Sequence, residues 1–167
     1  MASITLSGSP VATNGELPPV GSKAPDFSLV DNKLNDVSLK TYAGKKKILN
    51  IVVSLDTLIC EKSAKKFNEY AASHDDTVVL VISADLPATQ ARFCKMVKLS
   101  NITTLSMMRS RKFAKDYGVL LTDGPLAGVT ARAVVVLNED DKVIYTQLVP
   151  EIAQEPDYES ALQALNT

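Results

Sequence analysis

The stretch KKILNIVVSLDTLICEKSAKKFNEYA, residues 46–71, decides how the rest of the chain is read. Its first ten residues carry an almost unbroken apolar run, the pattern of a strand covered on both faces. From Cys60 onward the pattern changes. Cys60, Ala64, Phe67 and Ala71 fall at steps of four, three and four, while Glu61, Lys62, Lys65, Lys66 and Glu69 take the other faces, which predicts an amphipathic helix. Asp56 or Thr57 can cap that helix, and Cys60 then lies in its first turn. Free backbone N–H groups and the positive end of the helix dipole stabilise a thiolate there. Free cysteine is also among the most buried residue types, so on spacing alone a packing role and a reacting role are equally admissible.

Working outward, TVVLVIS (77–83) repeats the buried-strand signal, and LPATQARFCKMVKL (86–99) follows as a helix with Pro87 in its first turn. A weaker strand near NITTL, a helix at SRKFAKDYG closed by Gly118, strands ARAVVVL and KVIYTQLV joined by the acidic turn NEDD, and a last helix YESALQAL complete this half. Before the central stretch, SITLSGSPVAT alternates as a short hairpin around Gly8-Ser9-Pro10, and the Pro-rich ELPPVGSKAPDF separates it from the rest. Strands alternating with helices and closed by a hairpin predict an α/β fold, a mixed central sheet flanked by helices. At 167 residues, without an internal repeat or a long linker, the chain is expected to form one domain over 1–167.

Eighteen basic residues against nineteen acidic ones leave no field that would draw the protein to nucleic acid or an anionic membrane. The run Lys45-Lys46-Lys47 is expected to be a solvated turn. No secretory signal or transmembrane span is expected, which makes a reducing cytoplasm the default compartment. Cys60, His74 and Cys94 are the only soft ligands, lack zinc-site spacing, and point to no metal. His74, at a predicted helix end, reads as a cap rather than a catalytic base. DGPLAG (123–128) lacks the phosphate-loop pattern and reads as a turn.

The segments SLDTLIC, SAKKFN, VISADLP, QARFC, DGPLAG, ARAVVVL and EPDYESAL, in this order, closely resemble the thiol peroxidases of the bacterial atypical two-cysteine peroxiredoxin group. The resemblance implies a thioredoxin-like fold and reduction of hydrogen peroxide and organic hydroperoxides. It implies that Cys60 is the peroxidatic cysteine, Cys94 the resolving cysteine, Thr57 a hydrogen-bonding partner of peroxide and Arg132 the residue that holds the thiolate and polarises the O–O bond. A sulfenic acid on Cys60 would be captured by Cys94 as a disulfide and reduced by thioredoxin. The two cysteines lie 34 positions apart on successive predicted helices. A disulfide needs Cα atoms within about 7 Å, so a helix turn is expected to unwind. The resemblance also implies a homodimer, and no metal or flavin is required.

The chain departs from the family pattern near its cysteine. Val53 stands where the family has proline in P-x-x-x-T-x-x-C, Leu58 where it usually has a small residue or proline, Glu61 where it has a small residue and Ala88 where it has a phenylalanine, followed by an unusual Thr89. Leu58 adds apolar bulk at the mouth, Glu61 opposes a neighbouring anion, and Val53 frees backbone that proline would hold. These changes raise a second reading: a weakened or silent thiol-peroxidase scaffold, natural or engineered. Its remade surface of Leu58, Ile59, Glu61, Lys62, Ala88 and Thr89 would bind a protein partner.

Overall fold

A computed structural model describes residues 1–166. The chain opens with a hairpin of β1 (Ser3–Leu6) and β2 (Ser9–Ala12). Its turn is Ser7-Gly8, one step earlier than the sequence pattern suggests. Both residues have positive φ, 50° and 83°, the twist that a two-residue hairpin turn requires. Pro10 instead pairs with Thr5 inside β2, as an isolated two-stranded ribbon permits.

Seven further strands form one mixed sheet: β3 (Leu29–Val30), β4 (Asp36–Val37), β5 (Lys46–Ile51), β6 (Thr77–Ser83), β7 (Thr103–Ser106), β8 (Ala133–Leu137) and β9 (Val143–Leu148), in the order β4-β3-β7-β6-β5-β8-β9. Strands β5, β6 and β7 run parallel, while β8 lies antiparallel on the other side of β5. The helices are α1 (Leu58–Ala71), α2 (Pro87–Val97), α3 (Lys112–Asp116) and α4 (Tyr158–Ala164). The two-residue strands β3 and β4, and a short 3₁₀ helix at Leu39–Tyr42, are too brief to produce a readable period and are absent from the sequence reading.

The period-two pleat divides the core. Ile48, Val79, Val81, Val134 and Val136 face Cys60, Ala64 and Phe67 of α1, Phe93 of α2 and Ala161 of α4. Their neighbours Leu49, Leu80, Ile82, Val135 and Leu137 face Phe113 of α3 together with Phe27, Leu29 and Leu39. Both faces of β5 are therefore covered, which is why its sequence shows no alternation. Gly118 closes α3 at φ 69°, where a Cβ would lie 2.1 Å from the Glu16 carbonyl oxygen, so no other residue fits.

Of the run Lys45-Lys46-Lys47, only Lys45 is an exposed residue of the turn. Lys46 and Lys47 begin β5, and Lys47 is fully buried. Its ammonium pairs with Asp141 and donates to the Lys45 carbonyl at 3.1 Å. Lys46 donates to the Leu165 carbonyl at 2.9 Å and pairs with Asp76 at 3.5 Å. The long alkyl stem of Lys47 packs in the sheet while its charge reaches the β8–β9 turn, so burial is tolerated through pairing. Asn suits the left-handed backbone of Asp141 (φ 63°) and removes only the charge. Asp141→Asn is therefore expected to lower stability by about 2–3 kcal/mol in urea unfolding, because it strands a buried ammonium.

Candidate active site

The segment between β5 and α1 is anchored by one carboxylate. Asp85, just past the end of β6, accepts from Ser54 Oγ and the Leu55 amide at 2.8 Å each, and from Ser83 Oγ at 2.7 Å. With the chain pinned there, Thr57 becomes the helix cap. Its Oγ accepts from the Cys60 amide at 3.4 Å and donates to the Ser54 carbonyl at 3.0 Å. Of the two caps the sequence allowed, Asp56 is not used. Helix α1 starts at Leu58, so Cys60 occupies the third helical position.

Cys60 is fully buried, and its Sγ receives Arg132 Nη1 at 3.0 Å. Arg132, 2 % exposed and next to the start of β8, donates its Nε to the Ile152 carbonyl at 2.9 Å. A guanidinium buried this deeply is directed by those two partners, one of them the cysteine sulfur. Below, Ser63 Oγ donates to the Cys60 carbonyl at 3.0 Å and accepts from Asn50 Nδ2 at 3.2 Å. The first turn of α1 is thereby tied to the central strand.

A cavity of about 250 Å³ opens over this group, with Thr57 and Arg132 at its polar end and Leu6, Val53, Ile59, Leu126 and Ile152 among its apolar walls. Arg132, which donates to the Cys60 sulfur, forms part of its wall, while the sulfur itself stays fully buried behind it. Val53 is almost buried, whereas Leu58, at 65 % exposure, lies along the rim. Glu61 is directed away to Lys65 at 3.2 Å. Lys62 and Ala88 are exposed, and Thr89 lines a neighbouring hollow with Asp56 and Met96.

Cys94 lies on α2, half-buried against the same apolar cluster as Cys60, and both cysteines are free thiols. Burial pushes the Cys94 thiol above the ordinary cysteine range. His74 sits at the end of α1, its Nδ1 2.8 Å from the Tyr70 carbonyl and its ring stacked on Tyr70 at 3.8 Å. It takes no part in the site. In the 123–128 turn, Asp123 accepts from the Ala12 amide at 2.7 Å and so holds the hairpin.

Asp85, Ser63, Asn50 and Tyr158 are supports that the sequence reading did not single out. Tyr158 packs edge-on against Phe67 and donates to Glu155 at 2.9 Å. Its phenol is pushed strongly upward by burial first and by Glu155 next. Asn50 carried the one available signal: a lone amide in the middle of an apolar strand.

Known proteins resemble the chain along nearly its whole length. The Redoxin family matches residues 19–162. A thiol peroxidase of Corynebacterium glutamicum is 49% identical over 166 residues, 99% of this chain and 100% of that protein. Among solved structures, a peroxiredoxin-like protein from Aquifex aeolicus superposes with a TM-score of 0.90 at 39% identity, covering 98% of this chain and 96% of that one. A thiol peroxidase from Chromobacterium violaceum gives a TM-score of 0.90 at 25% identity, covering 98% and 95%. The mixed sheet and its helices are thus the thioredoxin-like fold.

Arg132→Met keeps the bulk and removes the charge, and is expected to slow iodoacetamide alkylation of Cys60 at pH 7 about tenfold, measured by mass spectrometry. Cys94 should behave in the opposite sense to a poised thiol. Because burial favours its neutral form, its alkylation in a Cys60→Ser background should still be rising at pH values where a free cysteine has levelled off.

Proposed function

The chain belongs to the Redoxin family, and from that premise we propose that it is a thiol-dependent peroxidase working through Cys60. The observation that carries this reading is the 3.0 Å approach of Arg132 Nη1 to the buried Cys60 sulfur at a helix start. The Cys60 thiolate attacks the terminal oxygen of a hydroperoxide. The O–O bond breaks, the departing alkoxide or hydroxide takes a proton to leave as alcohol or water, and Cys60 becomes a sulfenic acid. Arg132 stabilises the charge as it moves from sulfur to oxygen. Thr57 turns its hydroxyl from Ser54 toward the peroxide when substrate enters. Cys94 then attacks the sulfenic sulfur, a disulfide forms and water leaves. A dithiol of the thioredoxin type restores both thiols by exchange. For the cysteines to meet, the first turn of α1 or the Cys94 turn of α2 unwinds.

No described helix is long and apolar enough to cross a membrane, and the work fits one domain in the reducing cytoplasm. The exposed Leu58, Leu86 and Met96 near the site favour a homodimer formed on this face. Leu58, with Ile59, Glu61, Lys62, Ala88 and Thr89, is the surface that a scaffold remade to bind another protein would use.

Peroxide consumption coupled to thioredoxin and its reductase tests the proposal. The wild-type protein should turn over, Cys60→Ser should be inert, and Cys94→Ser should complete about one turnover before its Cys60 is overoxidised. An inert wild type alongside an active Val53→Pro, Leu58→Gly variant would overturn the peroxidase reading in favour of the scaffold.

A further inference from the structure

The hairpin lies against the segment that links β9 to α4. Thr5 donates its amide to the Pro150 carbonyl at 2.8 Å, and the Ile152 amide donates to the Thr5 carbonyl at 2.9 Å. Glu151, between those two bonds, reaches beyond them to the hairpin turn. One carboxylate oxygen accepts from the Ser7 amide at 2.8 Å and the Ala153 amide at 3.1 Å. The other accepts from the Gly8 amide at 3.1 Å and from the Thr5 hydroxyl. The hydroxyl of Thr5 first, then the three amides, hold the Glu151 carboxyl down to about 2, so it is ionised throughout the working range.

Two neighbours of this clasp form part of the cavity wall. Leu6 is fixed between Thr5 and Ser7, and Ile152 follows Glu151 directly, its carbonyl receiving Arg132. Both line the cavity that Arg132, the partner of the Cys60 sulfur, also borders.

We propose that Glu151 is a positioning residue whose carboxylate holds the hairpin tip as a wall of the substrate entrance, and thereby sets how well bulky apolar hydroperoxides bind relative to hydrogen peroxide. The inference rests on the peroxidase reading and deepens it. A carboxylate accepts all four donors. A glutamine amide presents one acceptor oxygen and turns its NH₂ toward N–H groups, so the clasp fails although the size is unchanged. Hydrogen peroxide is small and polar and gains little from Leu6 and Ile152. An aromatic hydroperoxide buries its tail against them.

The test is steady-state reduction of cumene hydroperoxide and hydrogen peroxide by the full chain, for wild type, Glu151→Gln, Thr5→Val and, as a charge control on the exposed face of α1, Glu69→Gln. In Glu151→Gln the kcat/KM ratio of cumene hydroperoxide to hydrogen peroxide should fall about fivefold, with the loss in KM. Thr5→Val removes one donor and should shift the ratio the same way by about twofold, while Glu69→Gln should leave it in place. Equal losses for both peroxides, or no loss, in Glu151→Gln overturn the inference. Should that variant fail to fold, Thr5→Val decides by the same ratio, and an unchanged ratio overturns it. A wild type that reduces neither peroxide overturns the peroxidase reading and this inference together. An active wild type with an unshifted ratio overturns the inference alone.

Discussion

A guanidinium cannot be buried without partners, and the placement of Arg132 organises everything around Cys60. Its Nε is satisfied by the Ile152 carbonyl and its Nη1 by the cysteine sulfur, so one planar group joins the start of β8, the 150–153 segment and the first turn of α1. Neither the β9–α4 connection nor the α1 cap is free to choose another geometry while this cation remains satisfied. The Cys60 sulfur is consequently tied through Arg132 to the 150–153 segment and is absent from the surface.

Carboxylates at the ends of the sheet supply the rest of the rigidity. Asp85 fixes the chain entering α1, Asp141 neutralises Lys47 beneath the β8–β9 turn, and Asp123 and Glu151 hold the base and tip of the hairpin. Asp85, Asp123 and Glu151 accept backbone amides that need acceptors, whereas Asp141 takes the Lys47 ammonium. Asp85 and Glu151 act through several short contacts to backbone and neighbouring side chains, Asp123 and Asp141 through one each. The apolar cavity lies among the loops that these residues fix, so its shape depends on polar contacts around its edge.

The departures from the family pattern look different in three dimensions. Leu58 lies along the rim and is mostly exposed, leaving the sulfur's partners in place. Glu61 spends its charge on Lys65, one turn further along α1, instead of confronting the sulfur. Val53 forms part of the apolar cavity wall. The Arg132–Cys60 contact survives all three changes.

The long, strongly patterned elements β5, α1, β6, α2, β8 and β9 were legible because their periods or unbroken apolar runs extend over many residues, and the helix position of Cys60 followed from the same pattern. Arg132 could be given its role from resemblance alone, since nothing in ARAVVVL distinguishes an inward cation from a solvated one. Tertiary structure decided that Lys47 is buried, that Thr57 rather than Asp56 caps α1, that Asp85, Ser63 and Asn50 hold the first turn of α1, and that Glu151 binds the hairpin turn. The physical reason is range. Periodicity records what each residue does within its own helix or strand, whereas a buried charge is settled by partners tens of residues away, brought near only once the sheet has formed.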